Sequence, residues 1–382
     1  MRQYRPVRLF KLSVWVPRTI NAYICCTSMH NLINGTQAKK NYDFIDAIRC
    51  IAMMAIVFEH SIGSYNPVKG SASYWGYIGL MQLAKFGTVA FFLLAGFLIS
   101  EKFTDYTPAQ YLKRRISTTF GPWLFWSFVY VLAMIINMAV KERIYHRGEF
   151  TLANIVNGIQ TVYLYTNYWF IINFLISITI LLVFRRYLYS LYLGIPLLAF
   201  TLFYAVNIHF EWIQPGHTTA ILGFVFFLWL GAQLRKYWSQ TEARINKLSY
   251  PLIMVMLLLT FGFSVYEINL LSGKSADPIN TLRFSNLLYS LVFFVLLLRI
   301  KTFRFTTYLT PRQTTYGIYL IHYIIVIFVV PEIFIHFSFD IVSMNPLQFT
   351  LFKLATFAIV YAITFGIVWL INRSKARVLV GN

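Results

Sequence analysis

Charge is what this sequence has least of. Only 12% of its 382 residues are Asp, Glu, Lys or Arg, about half the roughly 25% of an ordinary soluble domain. Acidic residues are the scarcer kind, 13 against 33 Lys and Arg. Cysteine is almost missing as well. Cys25, Cys26 and Cys50 have no spacing that suits a zinc site or a disulfide framework. Neither a P-loop nor a glycine-rich dinucleotide fingerprint occurs, so nothing argues for ATP-driven transport. Together these absences argue against a soluble enzyme and leave little room for a separate soluble domain.

Apolar residues fill the space that charge leaves. The chain is 58% hydrophobic and 19% aromatic, with a mean hydropathy of +0.62. Apolar runs long enough to cross a bilayer, about 17–25 residues, recur along almost the whole length. The expected fold is therefore all-α, a polytopic membrane bundle of about ten transmembrane helices. The spans read as 44–64, 77–100, 119–140, 168–184, 190–208, 218–234, 250–268, 284–299, 313–331 and 347–371.

The net charge of +20 would suggest a nucleic-acid partner in a soluble protein. Here the basic residues sit between the spans and read as topology signals instead, so no nucleic acid is expected. With the N-terminus in the cytoplasm, 24 Lys and Arg fall on the inner side, six fall outside, and Arg49, Lys85 and Lys353 fall within spans. That bias favours an N-in, C-in arrangement in the cell membrane. Residues 1–42 read as a basic, aromatic extension, 43–372 as the membrane domain, and 373–382 as a cytoplasmic tail. The extension, interrupted by Lys11, Pro17 and Arg18, is a poor signal peptide. It reads either as a short segment on the anionic leaflet or as sequence upstream of a true start at Met29.

The first span carries "DAIRCIAMMAIVFEH", Asp46 to His60. Ionisable groups inside a membrane helix are expensive and mark function by default. Arg49 and His60 are eleven positions apart, about 20° beyond three full turns, so they project from one face some 16 Å apart along the axis. Asp46 lies one turn before Arg49, at ion-pair spacing. Glu59 is about 100° from His60 and is expected to face elsewhere. Competing readings exist for both residues of the shared face. Arg49 could snorkel to the interface, and His60 could be a satisfied core residue. Neither explains why the two align.

An Asp, an Arg three residues on and a His eleven further, all in the first span, resembles the signature of the membrane-bound acyltransferase-3 family. Four more stretches follow in that family's order. "GTVAFFLLAGFLIS" (Gly87–Ser100) is similar to its second span, with Ala95 where Ser is usual. "YLKRRISTTFGPWLFWS" (Tyr111–Ser127) resembles its basic cluster and third span. "YWFIINFLISITILL" (Tyr168–Leu182) resembles its fourth span, and "TYGIYLIHYIIV" (Thr315–Val326) its penultimate one. One departure is that Thr118 stands where many members have the second Arg of an Arg-x-x-Arg element. The resemblance is to the short form, without an appended hydrolase-like domain.

The resemblance implies transfer of an acyl group, usually acetyl, from acetyl-CoA to a hydroxyl of a cell-surface polysaccharide or lipid-linked glycan, with no metal. Lys113, Arg114 and Arg115 would meet the coenzyme A phosphates, as guanidinium groups suit phosphate, unless they are plain positive-inside anchors. Arg49 would add charge there, held by Asp46, and Tyr316 would touch the donor. His60 would act as general base, with a covalent acyl-histidine as the secondary route. Trp169, Asn173 and His322 would line the acceptor cavity, although a structural hydrogen bond suits His322 better. Lys85 has no expected partner. The alternative is a transporter or exporter of a lipid-linked sugar or small solute, since intramembrane charge also suits translocation.

Overall fold

The computed structural model describes Tyr42 and residues 44–63, 67, 69–100, 106–146, 148, 150–335, 337, 341 and 343–382. The N-terminal extension apart from Tyr42, Met29 included, lies outside the described residues. In the described residues the chain is helical, with no strand beyond a single isolated bridge between Ser272 and Ser275.

The helices follow the apolar runs. They are α1 (Phe44–Gly63), α2 (Ala72–Ala84), α3 (Gly87–Ser100), α4 (Pro108–Arg115), α5 (Gly121–Tyr145), α6 (Leu152–Leu164), α7 (Trp169–Val183) and α8 (Leu191–Phe210). After them come α9 (Ile221–Lys236), α10 (Trp238–Lys247), α11 (Tyr250–Leu271), α12 (Phe284–Ile300), α13 (Arg304–Tyr308), α14 (Pro311–Ile324), α15 (Val330–Ile335) and α16 (Pro346–Asn372). A π-helical turn, Ile116–Phe120, joins α4 to α5, and a second, Ile325–Val329, joins α14 to α15.

A helix therefore stands at each of the ten expected spans. Among the described residues, six stretches are long and apolar enough to cross a bilayer: Ala72–Ser100, Pro108–Tyr145, Leu191–Phe210, Tyr250–Leu271, Pro311–Phe334 and Pro346–Asn372. The pair α6 and α7, bent by 51°, would make a seventh as one broken span. Helices α9 and α12 are shorter, at 16 and 17 residues, and α1 is set apart by Asp46, Arg49 and Glu59 within 20 residues. The chain is a multi-pass membrane protein.

Several helix starts are written locally. Thr107 and Gln110 form a capping box with Pro108 at the first helical position, and Asn345, Gln348 and Pro346 repeat the arrangement before α16. Each box satisfies backbone N–H groups that a helix start leaves without partners.

The hub of the bundle is α1, which touches α2, α3, α12, α14 and α16. Its end is held by Lys353 on α16, whose Nζ donates to the Ile62 carbonyl at 2.7 Å, one of the carbonyls that a helix terminus exposes. Beside it, α3 and α9 cross with their backbones nearly touching. A Cβ at Gly96 would stand 1.9 Å from the Leu228 carbonyl oxygen, and one at Gly231 2.1 Å from that of Leu93. Small residues permit such approach between membrane helices.

The last residues are folded rather than trailing. A 3₁₀ segment, Lys375–Val380, packs on α5, α14 and α16. Trp126 Nε1 donates to the Leu379 carbonyl at 2.9 Å, and Val380 is buried.

Candidate active site

The site is built on two helices joined at both ends. Near the start of α1, Arg49 Nη1 lies 3.0 Å from Asp46 Oδ1, and Arg312 at the start of α14 reaches Asp46 Oδ2 at 2.8 Å. Far along the same pair, His60 Nδ1 lies 2.8 Å from His322 Nε2, with the two rings stacked at 5.1 Å. Contacts 46–312 and 60–322 can coexist only if α1 and α14 run in the same direction.

The hydrogen-bond partners assign the protons of the histidine pair. His322 Nδ1 lies 2.9 Å from the Ile318 carbonyl oxygen, which can only accept, so Nδ1 carries the hydrogen. In a neutral ring Nε2 is then the acceptor, and His60 must donate to it through Nδ1. This leaves His60 Nε2 with its lone pair unprotonated. The carbonyl fixes His322, His322 fixes His60, and the outcome is a base nitrogen of defined tautomer.

His60 lines a cavity of about 160 Å³ together with Glu59, Trp169, His217, Asn167 and Tyr323. Tyr323 packs edge-on to the His60 ring at 5.1 Å. Across the cavity Trp169 lies against His217, centroids 4.6 Å apart, and His217 Nε2 lies 3.3 Å from Thr281 Oγ1. Of the expected cavity residues, Trp169 is on the wall. Asn173 and His322 are not; both stand behind it. Asn173 donates to the His217 carbonyl at 3.5 Å and accepts from Ser177 at 3.2 Å. His322 is fully buried behind His60.

Two expectations about charge are corrected here. Glu59, expected to face away from the chemistry, lines the same cavity as His60, because two neighbours about 100° apart on a helix can flank one hollow. It is still not the orienting group of His60. Lys85, expected without a partner, reaches Glu59 Oε1 at 2.6 Å, with both side chains mostly buried. Asp46, Arg49, Glu59 and Lys85 thereby each have an opposite charge alongside, which is what a low-dielectric setting requires.

Arg283 lies where the sequence puts it, in the connection just before α12, but not at the surface. It is wholly buried. Its guanidinium donates to Gln82 Oε1 at 2.7 Å, the Ser264 carbonyl at 2.9 Å and the Asn280 carbonyl at 3.1 Å, and lies 3.9 Å from Glu267. Gln82 and Asn286 carry the network to the Thr281 carbonyl, beneath the cavity wall.

The basic cluster sits at the other end, around the first π-turn. Arg114 Nη1 donates to the Tyr106 hydroxyl at 2.7 Å and Arg115 Nε to that of Tyr111 at 2.8 Å, while Lys113 is exposed. Arg312 and Arg115 both lie close enough for their charges to act on Arg49, and of the three Arg49 and Arg312 pair with Asp46. The π-turn widens the helix where Tyr316 donates its hydroxyl to the Thr119 carbonyl. Tyr316 is thus committed to the turn that leads into α5, and it stacks on Tyr319.

Sequence reasoning missed Arg312 and His217. For Arg312 a signal existed: it precedes His322 by ten residues at the ninth span, much as Arg49 precedes His60 by eleven in the first. His217 had none, being a loop histidine in "QPGHTT". Despite three histidines and a carboxylate nearby, no group of three or more His, Cys, Asp or Glu side chains is arranged to hold a metal among the described residues.

No curated protein and no solved structure matches the chain. The acyltransferase-3 family model, described as an acyltransferase domain, matches residues 42–365 of the 382, a range that takes in α1 with its Arg49 and His60, the basic cluster, the bent α6–α7 pair and α14, and the chain belongs to that family of membrane acyltransferases.

Proposed function

We propose that the protein transfers an acyl group, most simply acetyl, from cytoplasmic acetyl-CoA to a hydroxyl of a surface polysaccharide or lipid-linked glycan. The observation that carries this reading is the Ile318–His322–His60 chain, which presents an unprotonated Nε2 to a cavity inside the bundle.

The reaction follows from that nitrogen. His60 Nε2 takes the proton of the acceptor hydroxyl as its oxygen attacks the thioester carbonyl. The tetrahedral intermediate collapses, the C–S bond breaks, and the leaving thiolate takes the proton from the imidazolium, giving the O-acyl ester and free coenzyme A. His322 holds the imidazolium through the same Nδ1–H. Arg49, Arg115 and Arg312 supply positive charge for the donor phosphates, with Lys113 and Arg114 at its edge, and Asp46 bridges Arg49 and Arg312. The 16 Å or so between Arg49 and His60 along α1 is of the order that an extended thioester arm covers. Trp169 gives the acceptor an apolar face.

Ten spans with both ends of the bundle inside complete this reading. They make α1 the first span and α14 the ninth, which must then run the same way, as the two cross-links require. Removing either α9 or α12 alone from the count would set α1 and α14 antiparallel. The short α9 remains a span in this reading because its Gly231 locks it to α3.

The test is acetyl-CoA-dependent release of free thiol by the purified protein in proteoliposomes, with glycan-bearing membranes as acceptor. His60→Ala abolishes turnover and leaves donor binding largely intact, whereas Arg49→Ala weakens donor binding. Thiol release indifferent to both changes refutes the mechanism. Donor affinity that depends on His60 and not on Arg49 refutes the division of roles.

A further inference from the structure

The wall of the hollow that holds His60 carries a carboxylate with one oxygen unused. Glu59 stands one position before His60 on α1, about 100° round the helix, and lines the same hollow. Its Oε1 accepts from Lys85 Nζ at 2.6 Å. Its Oε2 has no hydrogen-bond partner among the described residues. That oxygen is open rather than sealed. The Glu59 side chain is 15% exposed, and the buried side-chain atoms without a partner among the described residues are Asn167 Oδ1, Trp229 Nε1 and Ser290 Oγ. Glu59 Oε2 is not one of them.

The ion pair settles which way the carboxylate faces. Lys85, whose side chain is 6% exposed, is not part of the wall, so Glu59 stands between it and the hollow. With Oε1 turned to Lys85, Oε2 is the oxygen on the hollow side. The charge of Glu59 also acts on His217, which lines the hollow together with Trp169. A buried ion pair adds little stability over apolar residues of the same size, so bracing alone does not account for a carboxylate at this wall. Ionised, it can only accept, and what Oε2 takes is therefore an O–H or N–H. Lys85 already balances the charge, which favours a neutral donor over an ammonium group. The hollow, about 160 Å³, is the size of one small ring. Trp169 offers that ring an apolar face and Glu59 a fixed polar point, the division of labour by which a mostly apolar pocket sets orientation.

We infer that Glu59 is a specificity residue of the acceptor site: its Oε2 accepts a hydrogen bond from a second hydroxyl of the acceptor ring, beside the one that His60 deprotonates. The substrate class is therefore a neutral ring bearing at least two hydroxyls, not a simple alcohol. The inference rests on the acyltransfer reading for the identity of the hydroxyl at His60, and on geometry for Glu59. It also gives regioselectivity a physical source, since a ring held at Glu59 can offer only particular hydroxyls to His60.

The probes are methyl β-D-glucopyranoside and its 2-, 3-, 4- and 6-deoxy and deoxyfluoro analogues, compared by saturation-transfer NMR on the full chain in nanodiscs. Fluorine cannot donate. At one ring position, therefore, both the deoxy and the deoxyfluoro probe should bind the wild type at least about tenfold more weakly than the parent, the deoxyfluoro probe no better than the deoxy. In Glu59→Gln the amide oxygen turns to Lys85, which can only donate, and the NH₂ group turns to the hollow. The deoxyfluoro probe should then bind better than the deoxy probe. Glu59→Leu with Lys85→Met strands no charge, so it decides the matter if Glu59→Gln does not fold, and it should bind all three alike. No such position in the wild type, an order of binding that neither variant changes, or no binding by any probe overturns the inference. Thiol release measured on the same samples separates the two claims. His60-dependent release without Glu59-dependent selectivity removes this inference alone; Glu59-dependent selectivity without release removes the acyltransfer reading alone.

Discussion

His322 touches no substrate in this reading, so replacing it tests whether the histidine pair acts as a unit. His322→Leu removes the acceptor 2.8 Å from His60 Nδ1 while keeping an apolar side chain in a fully buried position. In the neutral state His60 loses an ordinary hydrogen bond, worth about 0.5–1.5 kcal/mol, whereas in the imidazolium state it loses a charged one, worth about 1.5–3 kcal/mol. The difference, roughly 1–2 kcal/mol, falls on the proton-transfer step and lowers kcat by about 5- to 30-fold at 1.36 kcal/mol per decade. Loss of the fixed tautomer adds to the effect. The donor site at the other end of α1 is untouched, so the KM for acetyl-CoA should stay within about twofold. His322→Gln restores an acceptor oxygen and should recover part of the loss. The assay is thiol release at saturating donor, with thermal melting in detergent to confirm folding. A folded His322→Leu protein with kcat within about twofold of wild type would refute the role of the pair, as would a loss confined to the KM for acetyl-CoA.

Three further outcomes follow from the geometry. Lys85→Met should destabilise the protein by about 3–5 kcal/mol, because it strands a buried carboxylate, while Glu59→Gln with Lys85→Met costs much less; melting of the two single variants and the double variant in one detergent gives the coupling, and additive losses would contradict the pair. Gly231→Leu should abolish folded expression, as its side chain would enter the Leu93 backbone, whereas Gly262→Leu, with open space around it, should express normally by size-exclusion chromatography. Cysteines placed at Lys69 and at Arg186 should label from opposite faces of intact cells with an impermeant maleimide, Lys69 outside and Arg186 only after permeabilisation. Labelling of both from one face would undo the ten-span topology.

What the sequence made legible was arithmetic along one axis. Period 3.6 places Arg49 and His60 on one face and Asp46 within reach of Arg49, because all three angles are measured about the same helix. The same period cannot say which neighbour a face meets. For that reason it leaves the partner of His60 unassigned, sets Glu59 aside and gives no sign that Arg283, in its loop, is buried, although each is decided by residues on another helix. Yet the bilayer supplies a rule that periodicity lacks: a lone charge inside it needs an opposite charge nearby. Glu59, left over in the first span once Asp46 and Arg49 pair, and Lys85, the one charge in the second, can be joined on that ground from the amino-acid order alone. The Arg312 and His322 spacing can be matched to that of Arg49 and His60 in the same way. Two parallel helices, each with a cation near its start and a histidine about three turns later, can be linked at both levels at once. In this protein Asp46 makes the lower link and the histidine pair the upper one. On the acyltransfer proposal the consequence is mechanical: a donor that pulls on Arg49 or Arg312 would act on the two helices that carry His60 and His322, so the proposed donor mouth and reaction centre would be the two ends of one cross-linked helix pair. His217 shows the remaining limit, since a loop residue has no period and its place beside Trp169 is fixed by partners distant in sequence, Asn173 at its carbonyl and Thr281 at its ring.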